Sequence, residues 1–137
     1  MKIDKLLFIL FFFIQISCNS QTQKINGLSF VSSRDSINDS HVNPAKNTNA
    51  NYVSLMPFGS LATLNSPEIW FNANRQWFGE TSEGIKQYAS KFKNVDVKVM
   101  VKPQLWVRRG EFTGYIEMKS EEDWTKLEDS YEKFILF

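Results

Sequence analysis

VDVKVMVKPQLW, residues 95–106, is the one stretch in which an apolar run ends abruptly in a cluster of polar and aromatic side chains. Val97, Val99, Met100 and Val101 read as a buried strand, because near-continuous β-branched residues suit a strand covered on both faces, as in parallel sheets flanked by helices. Pro103 has no N–H to give to a ladder, so regular pairing is expected to fail there. Lys102, Gln104 and Trp106 then stand at the carboxyl end of a strand, where open α/β sheets and barrels bind their ligands.

Working outward, the flanking segments read as further units of the same kind. Thr81 to Phe92 predicts a helix, with Ile85, Tyr88, Ala89 and Phe92 at helical spacing, Thr81 or Ser82 as N-cap and Asn94 as a left-handed stop. Residues 25–32, INGLSFVS, predict a first strand, ending in Ser33, Arg34 and Asp35. Residues 37–49 read as a short or irregular helix carrying the chain back over the sheet. Residues 50–58, ANYVSLMPF, predict a second strand at a spacing suited to a βαβ unit of about 30 residues. Pro57 closes it much as Pro103 closes the third, which marks equivalent positions in a repeated architecture.

Residues 59–80 are too long for an ordinary connection. Trp70, Phe71, Trp77 and Phe78 give this segment material to pack, and a short helix is expected around 67–71. After Trp106 a glycine-interrupted loop leads to Ser120, which opens a last helix on Glu121, Glu122 and Asp123, with Trp124, Leu127, Tyr131, Phe134 and Ile135 as its stripe. Strand, helix, strand, long loop, helix, strand, helix is the order of the first three units of a (β/α)8 barrel, an α/β fold whose usual size is about 250 residues. The chain of 137 residues reads as an N-terminal portion of one.

The first residues are organised differently. Lys2 and Lys5 precede the apolar run Leu6 to Ile14, then come Ser17 and Cys18. This is the layout of an export signal, and the run falls short of the roughly 20 apolar residues of a membrane span. It resembles a bacterial lipoprotein signal, with Gln15 where an aliphatic residue is usual. Residues 1–17 are thus expected to be a signal peptide, and 18–24 a lipidated Cys18 with a polar tether. Residues 25–137 would form the barrel portion. The predicted protein is exported and membrane-anchored, on the periplasmic or cell-surface side. Cys18 is the only cysteine, so no intrachain disulfide can form.

Charge and motifs narrow the partners. Lys and Arg total 16 against 15 Asp and Glu, a net +1 that gives no electrostatic footprint for nucleic acid. His41 is the single histidine, which argues against a zinc site, and no glycine-rich phosphate loop is present, so no cofactor is expected.

INGLSFVSSRD, NANYVSLMPFG, RQWFGET, VMVKPQLWVRRGEFTG and the SEEDW helix start resemble, in order, the N-terminal third to half of the barrel glycoside hydrolases of family 113, β-mannanases among them, and especially their lipoprotein relatives in Bacteroidetes-type bacteria. The resemblance spans residues 25–137. It implies a retaining mechanism on β-linked, mannan-like polysaccharide. One carboxyl would act as acid/base and another as nucleophile, about 5 to 5.5 Å apart. In such barrels both follow later strands, so they are expected beyond Phe137. A lipid-anchored, non-catalytic glycan-binding or structural protein is the competing function.

Trp77 and Trp106 suit stacking on the apolar faces of sugar rings, and equally suit filling space at a barrel rim. Lys102 and Gln104 suit hydroxyl recognition, or for the lysine a structural ion pair. Arg34 with Asp35, and Arg75 two residues before Trp77, are similar cases. Trp70 is expected to pack within its loop and Trp124 in the core. Glu80, Glu111 and Glu117 read as solvated loop carboxylates, and no catalytic residue is assigned.

Overall fold

The computed structural model describes residues 24–136; the expected signal peptide, Cys18 and most of the expected tether lie outside them. The described chain runs β1 (Gly27–Phe30), α1 (Asp39–Asn47), β2 (Tyr52–Leu55), β3 (Phe58–Leu61), β4 (Ile69–Trp70), α2 (Ser82–Lys93), β5 (Lys98–Val101), β6 (Gln104–Val107) and α3 (Glu121–Ile135). One sheet has the order β1-β2-β5, all parallel. The other has the order β4-β3-β6, with β3 parallel to β6 and β4 antiparallel to β3.

The two sheets are a single strand pair interrupted once. Tyr52 faces Lys98 and Phe58 faces Gln104, an offset of 46 in both (98 − 52 and 104 − 58), which makes Pro57 the register partner of Pro103. The Lys102 N–H donates to the Leu55 carbonyl at 2.8 Å and the Gln104 N–H to the Pro57 carbonyl at 2.9 Å. Pairing therefore resumes directly after Pro103 rather than failing there. In a parallel ladder, residues 102 and 104 bond β2 and β3, so the nitrogen of Pro103 points to the open edge and its missing donor is not needed. Pro57 leaves out the one rung at the break. Burial alternates without interruption from Tyr52 to Leu61, with Val53, Leu55, Pro57, Gly59 and Leu61 buried. One face thus packs on helices. The other carries Met56, Phe58 and Ser60, beside Gln104 and Trp106 on β6.

Each half has its own core. Val53 and Leu55 pack with Val42 and Ala45 of α1, Tyr88 and Phe92 of α2, and Ile37 and Val97. Leu61, Ile69 and Val107 pack with Met118 and with Leu127 and Phe134 of α3. The segment expected to be a short or irregular helix is a short, regular one, α1. Asn38 caps it through a bond from the Ser40 N–H at 3.0 Å, and the His41 ring Nδ1 receives the Asn38 N–H at 3.2 Å, which gives the lone histidine a structural role. Thr81 and Ser120 cap α2 and α3, taking the N–H groups of Gly84 and Asp123 at 3.1 Å each.

Four local expectations are corrected. Residues 67–71 form no helix. Ile69 and Trp70 form β4, because Ile69 is needed in the core beside Leu61 while Trp70 points out. The left-handed residue after α2 is Asp96 (φ 60°) rather than Asn94 (φ −66°). The strand within 97–101 is not covered on both faces. β5 is an edge, and Met100 and Val101 are 54% and 44% exposed. Trp124 packs against the second core but is only half-buried, and with Leu105 of β6, Tyr131 and Ile135 it borders an apolar hollow between α3 and β6. In a closed (β/α) architecture a further unit covers such surfaces.

Candidate functional site

A cavity of about 940 Å³ opens at the carboxyl ends of the parallel strands, on the face away from the helices. Met56, Phe58, Ser60 and Trp106 form its floor, Val31 and Ser32 one wall, and Trp70 with residues 73–77 and Glu80 the other. Trp70, Trp77 and Trp106 keep 52%, 42% and 54% of their surface exposed, so each presents ring area to the cavity. A floor ring orients one of them: Phe58 meets Trp106 edge to face, with centroids 6.2 Å apart. The guanidinium of Arg108 lies 4.7 Å above the Trp70 ring, and that of Arg34 5.7 Å from the Trp77 ring, within cation–π range.

Of the long connection, residues 59–61 and 69–70 lie in β3 and β4, and the segment between β4 and α2 is held in place by hydrogen bonds rather than by strand pairing. Gln76 donates through its side chain to the Phe58 carbonyl and accepts from the Ala73 N–H at 3.2 Å, which ties the 73–77 turn to β3. Asn72, itself in the left-handed region (φ 52°), accepts from the Ser82 N–H at 3.1 Å through its side chain. Residues 78–80 make a 3-10 turn whose Gly79 N–H donates to the Ser33 carbonyl at 3.0 Å and whose Gly79 carbonyl accepts from the Ser32 hydroxyl at 3.1 Å. Tyr88, buried on α2, donates to the Asp35 carbonyl at 2.9 Å and so fixes the loop after β1. The rims after β1 and β3 are thereby locked to each other and to α2, and the cavity wall is preformed.

Of the residues singled out in the sequence, Arg75, Trp77 and Trp106 line the cavity. Arg34 touches it through the Trp77 ring. Asp35 contributes its backbone to the Ser33 and Tyr88 hydroxyl network, and its exposed side chain is not part of the lining. Lys102 is exposed and Gln104 half-buried; both share the Trp106 face of the sheet without lining the cavity. Lys102 has no ion-pair partner among the described residues, so the structural ion pair is not formed.

Trp70, Arg108 and Glu80 are among the lining residues not picked out as site candidates. Trp70 does not pack within its loop: β4 pairing turns Ile69 inward and the indole outward. Glu80 is not a freely solvated carboxylate. It is half-buried, and loss of hydration pushes its pKa above the ordinary 4.5, against a hydrogen bond with Gln76 that pulls it down. Its position depends on the contact of Gly79 with Tyr88, which no local pattern encodes. With the folded-state pKa raised, ionisation of Glu80 disfavours the fold, so stability from this group falls as pH rises above 4.5. Glu80→Gln should therefore melt above the wild type at pH 7, and the two curves should converge in acid below the carboxylate range; a thermal melt series across pH checks this.

No family model and no curated protein matches the chain. Among solved structures, it is similar to a "GH113 beta-1,4-mannanase", with a TM-score of 0.56 and 22% identity over 82% of this chain. The chain spans 40% of that mannanase's length. The fold is therefore mixed α/β, built on a parallel sheet and similar to part of a barrel glycosidase.

Proposed function

We propose that residues 25–137 are the N-terminal three β/α units of a (β/α)8 glycoside hydrolase, and that the cavity holds a β-linked, mannan-like polysaccharide. The observation that carries this is the set of three exposed indole faces, Trp70, Trp77 and Trp106, around one preformed cavity at the carboxyl ends of parallel strands. Flat, polarisable rings of this size match the apolar faces of sugar rings, and Ser32, Ser60 and Glu80 offer partners for hydroxyls. A retaining glycosidase needs two carboxyls about 5 to 5.5 Å apart. Glu80 is the one carboxylate in the lining, so this chain positions sugar, and the catalytic pair belongs to strands beyond position 137. Purified 137-residue chain should bind β-1,4-manno-oligosaccharide in calorimetry, weaken by roughly tenfold in Trp106→Ala (a stacked ring contributes on the order of 1 kcal/mol), and release no reducing sugar. Reducing-sugar release by the chain alone would overturn the division of labour.

The lone carboxylate also favours a second reading, a glycan-binding protein without catalysis. A chain extended through further β/α units separates the two: hydrolysis supports the enzyme, binding alone the second reading. In either case the lysines, apolar run and Ser17-Cys18 at the N-terminus support export and acylation of Cys18. Labelled fatty acid should enter the wild type and not Cys18→Ala, and equal labelling of both would refute the anchor.

A further inference from the structure

The charges around the cavity are one-sided. Arg75 and Arg108 line it and Arg34 lies over the Trp77 ring, whereas Glu80 is the sole carboxylate in the lining. Among the described residues none of these three arginines forms an ion pair; Glu111, three positions after Arg108, does not pair with it either. Two of the guanidiniums are held by indole faces, at 4.7 Å and 5.7 Å. Stacking of this kind restrains the planar group and leaves its edge N–H donors available for bidentate bonds to a carboxylate. A neutral hexose would leave three cations uncompensated beside the rings that stack on it.

We propose that the cavity selects an anionic glycan, one in which uronate carboxylates are carried on β-1,4-linked hexose rings: the tryptophans stack on the rings while Arg75 and Arg108 receive the carboxylates. This rests on the carbohydrate reading above and deepens it. Arg75 acts at an exposed position and Arg108 at a half-fixed one, so the gain is salt-sensitive. Of the two, Arg75 is the one not stacked on a tryptophan in this structure, and it is free to reorient onto the ligand.

The test compares two ligands that differ only at C6, β-1,4-mannotetraose and β-1,4-linked tetramannuronate, titrated into the 137-residue chain in non-ionic detergent. The uronate should bind about tenfold more tightly at low salt, as expected of one or two partly screened charge-assisted bonds. The ratio should shrink toward one as salt rises to about 0.5 M. Arg75→Gln and Arg108→Gln should each lower the ratio several-fold. Lys133→Gln, the same loss of charge on the last turn of α3, should leave it in place. Arg75 is exposed and bonded to nothing that the fold needs, so its variant should keep the wild-type circular dichroism. Equal affinity for the two ligands would overturn the charge preference and leave the sugar site standing. A preference that survives both arginine substitutions would overturn the assignment to this cavity. Binding of neither ligand would remove the carbohydrate reading itself.

Discussion

Alanine at Gly84 should lower stability by about 3 kcal/mol or more and displace Trp77 and Glu80 from the cavity. Gly84 stands in the first turn of α2. A methyl group built there would overlap the Phe78 carbonyl oxygen and lie 2.5 Å from its carbon and 3.0 Å from the Gly79 Cα. These are backbone atoms, so no rotamer change relieves the clash. Nor is the 78–80 turn free to retreat. The Phe78 carbonyl accepts from the Thr81 hydroxyl at 2.7 Å, and Gly79 is bonded to Ser32 and Ser33 on the opposite side. Either α2 loses its cap or the turn breaks its bonds to the β1 rim, and both routes move the wall that carries Trp77 and Glu80. Gly110 supplies the control: its φ is +75° but nothing lies within 4 Å, so Gly110→Ala should cost only the backbone strain, about 1 kcal/mol. Denaturant midpoints rank the two variants, and near-equal losses would show that the close approach at Gly84 relaxes without consequence.

Phe134→Ala should be nearly as damaging, at about 3 to 5 kcal/mol, but confined to one half of the molecule. Phe134 is fully buried, lies 5.5 Å from the Phe71 ring, and has ring atoms 3.1 Å from where a Cβ on Gly59 would sit. It fastens α3 to β3. Because the core beneath β3, β4 and β6 is separate from the one beneath β1, β2 and β5, amide exchange should accelerate in β3, β4, β6 and α3 well before β1 and β2. Uniform acceleration would mean that the strand pair running through Pro57 couples the halves into one cooperative unit.

What the sequence reveals and what it hides follow from the range of the forces involved. α2 was legible because its apolar spacing and its Thr81 cap are local, and the β2–β3 and β5–β6 equivalence was legible in Pro57 and Pro103. The consequence of those prolines was not. Whether a missing N–H breaks pairing depends on which edge the nitrogen faces, and that is decided by the partner strand. Met100 and Val101 are as apolar as a covered strand requires, yet coverage is a property of neighbours rather than of the strand. At the site, Trp77, Trp106 and Arg75 were placed by their position after strand ends. Trp70 was missed because a two-residue strand leaves almost no period, and Glu80 because its half-burial depends on how the 78–80 turn docks, through Gly79, on Tyr88 and the rim after β1. Lys102 and Gln104 lie on the right face of the sheet but outside the cavity lining, since residues 70–80 build the wall elsewhere.

The central claim is that three of the four tryptophans form one sugar-stacking surface. The most direct measurement follows the four indole N–H signals by NMR while a β-1,4-linked hexose oligosaccharide, neutral or uronate, is titrated into the chain. Trp70, Trp77 and Trp106 should shift together along one saturation curve, and Trp124, on α3 outside the cavity lining, should stay still. Indoles that do not move with either sugar, or a shift at Trp124 alone, would contradict the account.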